Sequence, residues 1–144
     1  MAPAAHEVIC HYDWAPYNAL FDGHRPIAML DWDSAGPGPR VWDVALSAYT
    51  WVPLKPQGLA ADAVALPARA ARLAAFCAAY GGVEPREVLT ALVDELPFLG
   101  SVIQAEADAG DPGSMRLAGW NVPARTRDEA ALIHEQIELL LRAP

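Results

Sequence analysis

The sequence predicts an α+β fold that is mostly α: a short β-hairpin bearing two polar loops, followed by a helical bundle. Three observations lead there. Apolar runs at residues 19–21 and 27–30 flank Asp22, Gly23, His24 and Arg25, which is the pattern of two strands and a turn. From about Asp43 onward, apolar residues recur at helical spacing instead. Proline and glycine punctuate the helical stretches, most clearly at Gly81-Gly82 and at residues 110–113.

The elements follow in order. Residues 8–10 form a short apolar run, and the hairpin after it is too small to stand alone, so it must pack on something larger. Residues 34–40 (SAGPGPR) read as a loop. Asp43 suits the N-cap or first turn of a helix over 44–51, which stops before Pro53. Residues 60–80 are rich in alanine, place Leu66, Leu73, Phe76 and Cys77 near one face, and end at the Gly81-Gly82 cap signal. Pro67 marks a start for that helix. A further helix spans 85–96, and Pro97 either kinks it or opens a new one to Ala109. Thr126-Arg-Asp-Glu has the form of a capping box, followed by Leu132, Ile133, Ile137, Leu140 and Leu141 at helical spacing.

With 144 residues, the chain is expected to form a single domain over 1–144, with the loops and hairpin in 1–40 and a helical subdomain in 41–144. Hydrophobic residues make up 53% and charged ones 19%, too apolar for a disordered chain. The net charge of −8 and a single lysine, Lys55, leave no basic stripe, so no nucleic-acid partner is expected. No run of about 18 apolar residues suggests a membrane span. MAPAAHEVIC lacks the features of a secretory signal, so the expected location is cytoplasmic. Cys10 and Cys77 read as buried reduced thiols. The acidic balance would concentrate cationic small molecules, and it also serves simply to keep a protein dispersed.

The strongest chemical signal is residues 11–18, HYDWAPYN, an H-x-D-x-x-x-x-N pattern. Phosphoryl transfer to an alcohol needs a carboxylate that orients the acceptor hydroxyl and takes its proton, plus oxygen ligands for magnesium. Asp13 suits the first role and Asn18 the second. Asp31, at the far end of the hairpin, returns to the level of Asn18 and offers a second hard oxygen ligand. All three also have ordinary readings as turn or hairpin-end residues. His11 reads as a structural histidine bonded within its loop, Asp33 as a solvated loop residue or a second metal ligand, and His24 as exposed. Trp14, Trp32, Trp42 and Trp51 read as packing residues.

HYDWAPYNALF followed by IAMLDWDSAGPGPRVWDVA resembles the aminoglycoside phosphotransferase and choline-kinase-like families, relatives of the protein kinases, over residues 6–51. The resemblance implies the C-terminal lobe of a protein-kinase-like fold. By it, Asp13 is the catalytic aspartate, Asn18 and Asp31 are Mg2+ ligands, and Asp43 braces the catalytic loop through backbone hydrogen bonds. It further implies ATP or GTP as phosphoryl donor and a small-molecule acceptor of the aminoglycoside or amino-alcohol type. In relatives the later helices shape the acceptor site, where Asp94, Glu95, Glu106 and Asp108 either hold a cationic amine or form a solvated helix face.

The chain departs from the pattern in two ways. Tyr12 stands where relatives carry a small residue, commonly glycine. Ten residues precede His11, where the family places a lobe with a phosphate-covering loop and a lysine; Lys55 falls after the metal segment, and no G-x-G-x-x-G is present. Weak or absent kinase activity is therefore expected of the chain alone, with an apolar surface buried by self-association or by a partner chain. Two other readings are open: a non-catalytic binding or assembly module, and a metal-dependent phosphoesterase built on His11, Asp13, Asp31 and Asp33.

Overall fold

The structure is a computed structural model that describes residues 7–54 and 64–142. Its β portion is two ribbons. β1 (Val8–Cys10) and β4 (Gly36–Gly38) pair antiparallel, with Val8 opposite Gly38 and Cys10 opposite Gly36. β2 (Ala19–Asp22) and β3 (Arg25–Met29) form the expected hairpin. Gly23 turns it with φ of 59°, a backbone region glycine enters without steric cost. The first ribbon corrects the reading of residues 34–40 as loop throughout. A Gly-Pro-Gly strand carries no apolar alternation, and only its partner β1, far away in sequence, makes it a strand. This ribbon closes the base of the excursion from His11 to Ala35 and so gathers both polar loops at one place.

Five helices follow: α1 (Arg40–Trp51), α2 (Leu66–Tyr80), α3 (Pro85–Asp108), α4 (Pro112–Gly119) and α5 (Val122–Leu140). α1 begins earlier than expected, so Asp43 lies in its first turn and Pro39 holds the N-cap. α2 has Pro67 in its first turn and ends on Gly81 at φ of 79°; positions 60–63 of the expected helix lie outside the described residues. α3 runs unbroken through Pro97. α4 begins inside the expected 110–113 break, making Pro112 and Gly113 helical rather than loop, and its N-cap Asp111 accepts a hydrogen bond from Ser114 N at 2.7 Å. That bond holds the Asp111 carboxyl below its ordinary range.

The expected capping box at Thr126 is overturned. The N-cap of α5 lies five residues earlier, at Asn121, Thr126 Oγ1 donates to Pro123 O inside the helix, and Glu129 turns inward to accept the hydroxyl of Tyr49. Asn121, at φ of 59°, supplies the N-cap, a backbone region asparagine tolerates. A reciprocal box does exist, at Glu84 and Glu87, where Glu84 N donates to Glu87 Oε2 at 2.8 Å and starts α3.

α3 is the central helix and packs against α1, α4 and α5. By length and mean hydropathy, 1.4 over its most apolar window, it would pass for a membrane span; here Val88, Leu89, Leu92 and Leu96 are buried in the core cluster that also holds Leu54 and Ile133. Each such leucine contributes roughly 1.5–3 kcal/mol. Cys10 and Cys77 are both buried and free.

Two points in α3 are tight. Gly100 faces the start of α5, where an added Cβ would lie 2.4 Å from Thr126 Oγ1 and 2.9 Å from Pro123 O. Glu95 corrects the reading of the acidic residues as one solvated or amine-binding set. Asp94 is exposed, Asp108 accepts from Gln104 and Glu106 from Ser114, whereas Glu95 is 2% exposed with neither carboxyl oxygen hydrogen-bonded. Burial, reinforced by the charge of Asp43, pushes its carboxyl up to about 10, so it is neutral at pH 7.

Gly100→Ala is expected to destabilise the fold by about 1–3 kcal/mol, read by urea unfolding, because the Pro123 carbonyl is backbone and cannot swing aside. Glu95 carries a pH signature. Its folded value lies above the unfolded 4.5, so its stabilising proton uptake is complete below pH 4.5 and is lost as pH rises to about 10. Stability of the parent relative to Glu95→Gln should therefore fall with pH across that window, by up to about 1.4 kcal/mol per pH unit. Parallel stability curves for the two proteins would show that Glu95 is solvated.

Candidate active site

The site grows from a strand that ends and a loop that must turn. β1 delivers His11 into the interior, and His11 N and Tyr12 N both donate to Asp43 Oδ1, at 2.8 and 2.9 Å. One carboxylate oxygen from the first turn of α1 thus satisfies two successive backbone donors of a loop that has no strand partner to do so. Immediately after the second donor the chain turns sharply, with Tyr12 at φ of 62°.

That left-handed backbone costs a residue with a Cβ about 1–2 kcal/mol, which accounts physically for a small residue at this position in the family pattern. Here the tyrosine is accommodated by its surroundings. Its hydroxyl donates to Pro37 O at 3.3 Å and lies 1.9 Å from where a Cβ on Gly38 would stand. The ring packs on the core. Burial, then the neighbouring Cys10, pushes the Tyr12 hydroxyl up to about 12.

His11 ties the loop to the hairpin. The carbonyl of Leu30 can only accept, so His11 Nε2 carries the proton and donates to it at 2.8 Å, leaving Nδ1 to accept from Asp13 N at 3.3 Å. The imidazole is 1% exposed and packs against Trp32, with ring centroids 4.7 Å apart. Leu30 is held a second time, its N–H donating to Asn18 O at 2.9 Å. Both backbone groups of Leu30 are therefore bonded into the 11–18 segment, and Asp31 follows directly, exposed, with φ of 61°.

Asp13 is set by Asn18 and Tyr17. Asn18, buried at the end of a single 3-10 turn (Pro16–Asn18), donates from Nδ2 to both Asp13 O and Asp13 Oδ2, each at 2.9 Å. Its amide oxygen is left as the atom available to other groups. Tyr17 Oη donates to Asp13 Oδ1 at 2.5 Å. Tyr17 is largely exposed as a side chain, but desolvation local to its hydroxyl raises that group, followed by its bond to Asp13 and the charges of Asp13 and Asp31, which puts both carboxylates within electrostatic reach of one phenol. Tyr17 was missed in the sequence, where nothing distinguishes it from any aromatic loop residue. Trp14 anchors the loop's far side, its carbonyl accepting Trp51 Nε1 at 3.0 Å.

Asp31 is exposed and Asp13 half-buried at the surface, with Asn18 buried beneath them. Cavities of about 540 and 460 Å³ lie against Trp14 and Phe76 instead, and none of the three lines either one. Asp33 is exposed in the turn after Asp31. Among the described residues, no three His, Cys, Asp or Glu side chains gather to hold a metal. His11, Asp13, Asp31 and Asp33 therefore do not assemble the phosphoesterase cluster, and the Nε2 of His11 is already committed to Leu30. The Asn18 amide oxygen and the Asp31 carboxylate are hard oxygen donors whose chemistry fits Mg2+ completed by water and phosphate oxygens.

No curated protein and no solved structure matches the chain. A family model does, that of the phosphotransferase enzyme family, over residues 1–92. That span contains the whole excursion from β1 to β4, the α1 brace and the beginning of α3. The chain is therefore a member of the phosphotransferase enzyme family.

Proposed function

We propose that the chain supplies the catalytic centre of a kinase that moves the γ-phosphoryl group of ATP or GTP to the hydroxyl of a cationic small molecule of the aminoglycoside or amino-alcohol type. The observation that carries this is Asp13, presented at an open surface with Oδ2 fixed by a buried asparagine. In this reading the acceptor hydroxyl donates to Asp13, which fixes its approach and takes its proton as the new O–P bond forms and the nucleoside diphosphate leaves. Asn18 and Asp31 would hold Mg2+, whose charge, when bound, offsets that of the phosphates. Asp43 keeps the loop backbone in place. The net charge of −8 favours a cationic acceptor, and a nucleotide-dependent reaction suits a cytoplasmic location.

A second observation supports a partner surface. Ile9, Leu20, Phe21, Ile27, Leu30 and Trp32 are 40–64% exposed on the two ribbons and the turn beside them. Monomers seldom leave so many large apolar side chains together in water. A second lobe, a second copy or a partner chain would cover them.

The test is transfer of labelled γ-phosphate from Mg2+-ATP to a panel of amino alcohols and aminoglycosides. Asp13→Asn is expected to lower transfer by at least about 10²-fold, and transfer that survives this change unaltered would remove Asp13 from its role. By calorimetry, Asp31→Asn should weaken Mg2+ binding by roughly 10-fold or more; equal binding to both proteins would place the ion elsewhere.

A further inference from the structure

We propose that the phenol of Tyr17 occupies the acceptor subsite of this centre, so that a phosphoryl acceptor binds Asp13 by displacing Tyr17. The inference rests on Asp13 being the carboxylate that receives the acceptor hydroxyl.

The two oxygens of Asp13 are engaged in unequal ways. Oδ2 is held by Asn18, a buried side chain fixed by a second bond to Asp13 O. Releasing that bond would strand a buried amide, so Oδ2 is not the place for an incoming ligand. Oδ1 is held by Tyr17 Oη, and Tyr17 is 70% exposed. Its backbone sits in the 3-10 turn closed by Asn18 N and Ala15 O at 2.9 Å, with Pro16 fixing the preceding φ. The side chain can thus leave by rotation alone, without disturbing the turn or uncovering core.

A hydroxyl that donates to the catalytic carboxylate is what an acceptor alcohol must provide, and Tyr17 already provides one. The tethered phenol competes at high local concentration, and it is a stronger acid than an aliphatic alcohol, hence the better donor to a carboxylate. Water and simple alcohols, which offer one contact, are poorly equipped to displace it. An acceptor with further anchoring contacts on the acidic surface can. Tyr17 therefore acts as a selectivity residue: it raises the threshold for small acceptors and guards the nucleotide against hydrolysis.

The experiment measures binding of ethanolamine to the full chain by ligand-observed NMR, which does not require turnover, in the parent, in Tyr17→Phe and in Tyr17→Phe combined with Asp13→Asn. Tyr17→Phe keeps the exposed ring and removes only the competing hydroxyl. Expected is about tenfold tighter binding in Tyr17→Phe, lost again when Asp13 is also changed. Equal binding by parent and Tyr17→Phe, including undetectable binding by both, overturns the proposal while leaving the Asp13→Asn transfer result to judge the catalytic role separately. A gain that persists in the double variant places ethanolamine away from Asp13 and likewise overturns the proposal, the catalytic role again resting on the transfer result.

Discussion

A single carboxylate oxygen, Asp43 Oδ1, receives the backbone N–H groups of His11 and Tyr12, and the 11–18 segment depends on that contact. Past the end of β1 the chain turns away from its strand partner, and its donors would otherwise be left in a half-buried space without acceptors. Such orphaned donors cost about 1–3 kcal/mol each. By satisfying two at once, α1 dictates where the loop turns, and the turn in turn aims Asp13 outward. The helix that follows the site in sequence is thus the element that shapes it.

From this anchor the rest of the centre follows by short links. His11 reaches across to Leu30, Leu30 reaches back to Asn18, and Asn18 holds Asp13. The chain of bonds is made almost wholly of backbone groups and buried side chains. Precision at the surface residues Asp13 and Asp31 is borrowed from groups that water does not reach, which is how a site open to solvent keeps a defined geometry.

Much of this was legible in the sequence, for identifiable reasons. The hairpin announced itself through apolar runs around Gly23, and the helix ends at Gly81 and Pro67 through residues with restricted or permissive backbones. Asp13 and Asn18 share one short motif, so their proximity was already covalent, and the hairpin that returns Leu30 to Asn18 could be read from its apolar runs. What stayed hidden depended on distant partners. β4 is a strand only because β1 lies beside it. Glu95 looks like any surface glutamate until α3 is packed on its neighbours. Thr126 and Glu129 carry the right letters for a cap, but packing of α5 against Gly100 and the pull of Tyr49 moved the helix start upstream. Tyr17 could not be singled out because its importance lies in where one hydroxyl points.

Tyr12 and Gly38 show how a strained residue is inherited. The phenol of Tyr12 fills the volume in which any side chain at position 38 would begin, so a larger residue there is admissible only once position 12 has become small. Conversely, a glycine at position 12 would relieve the backbone and leave a void over β4. Neither site can drift alone; the two positions should covary across descendants of this chain, with size at one traded against size at the other.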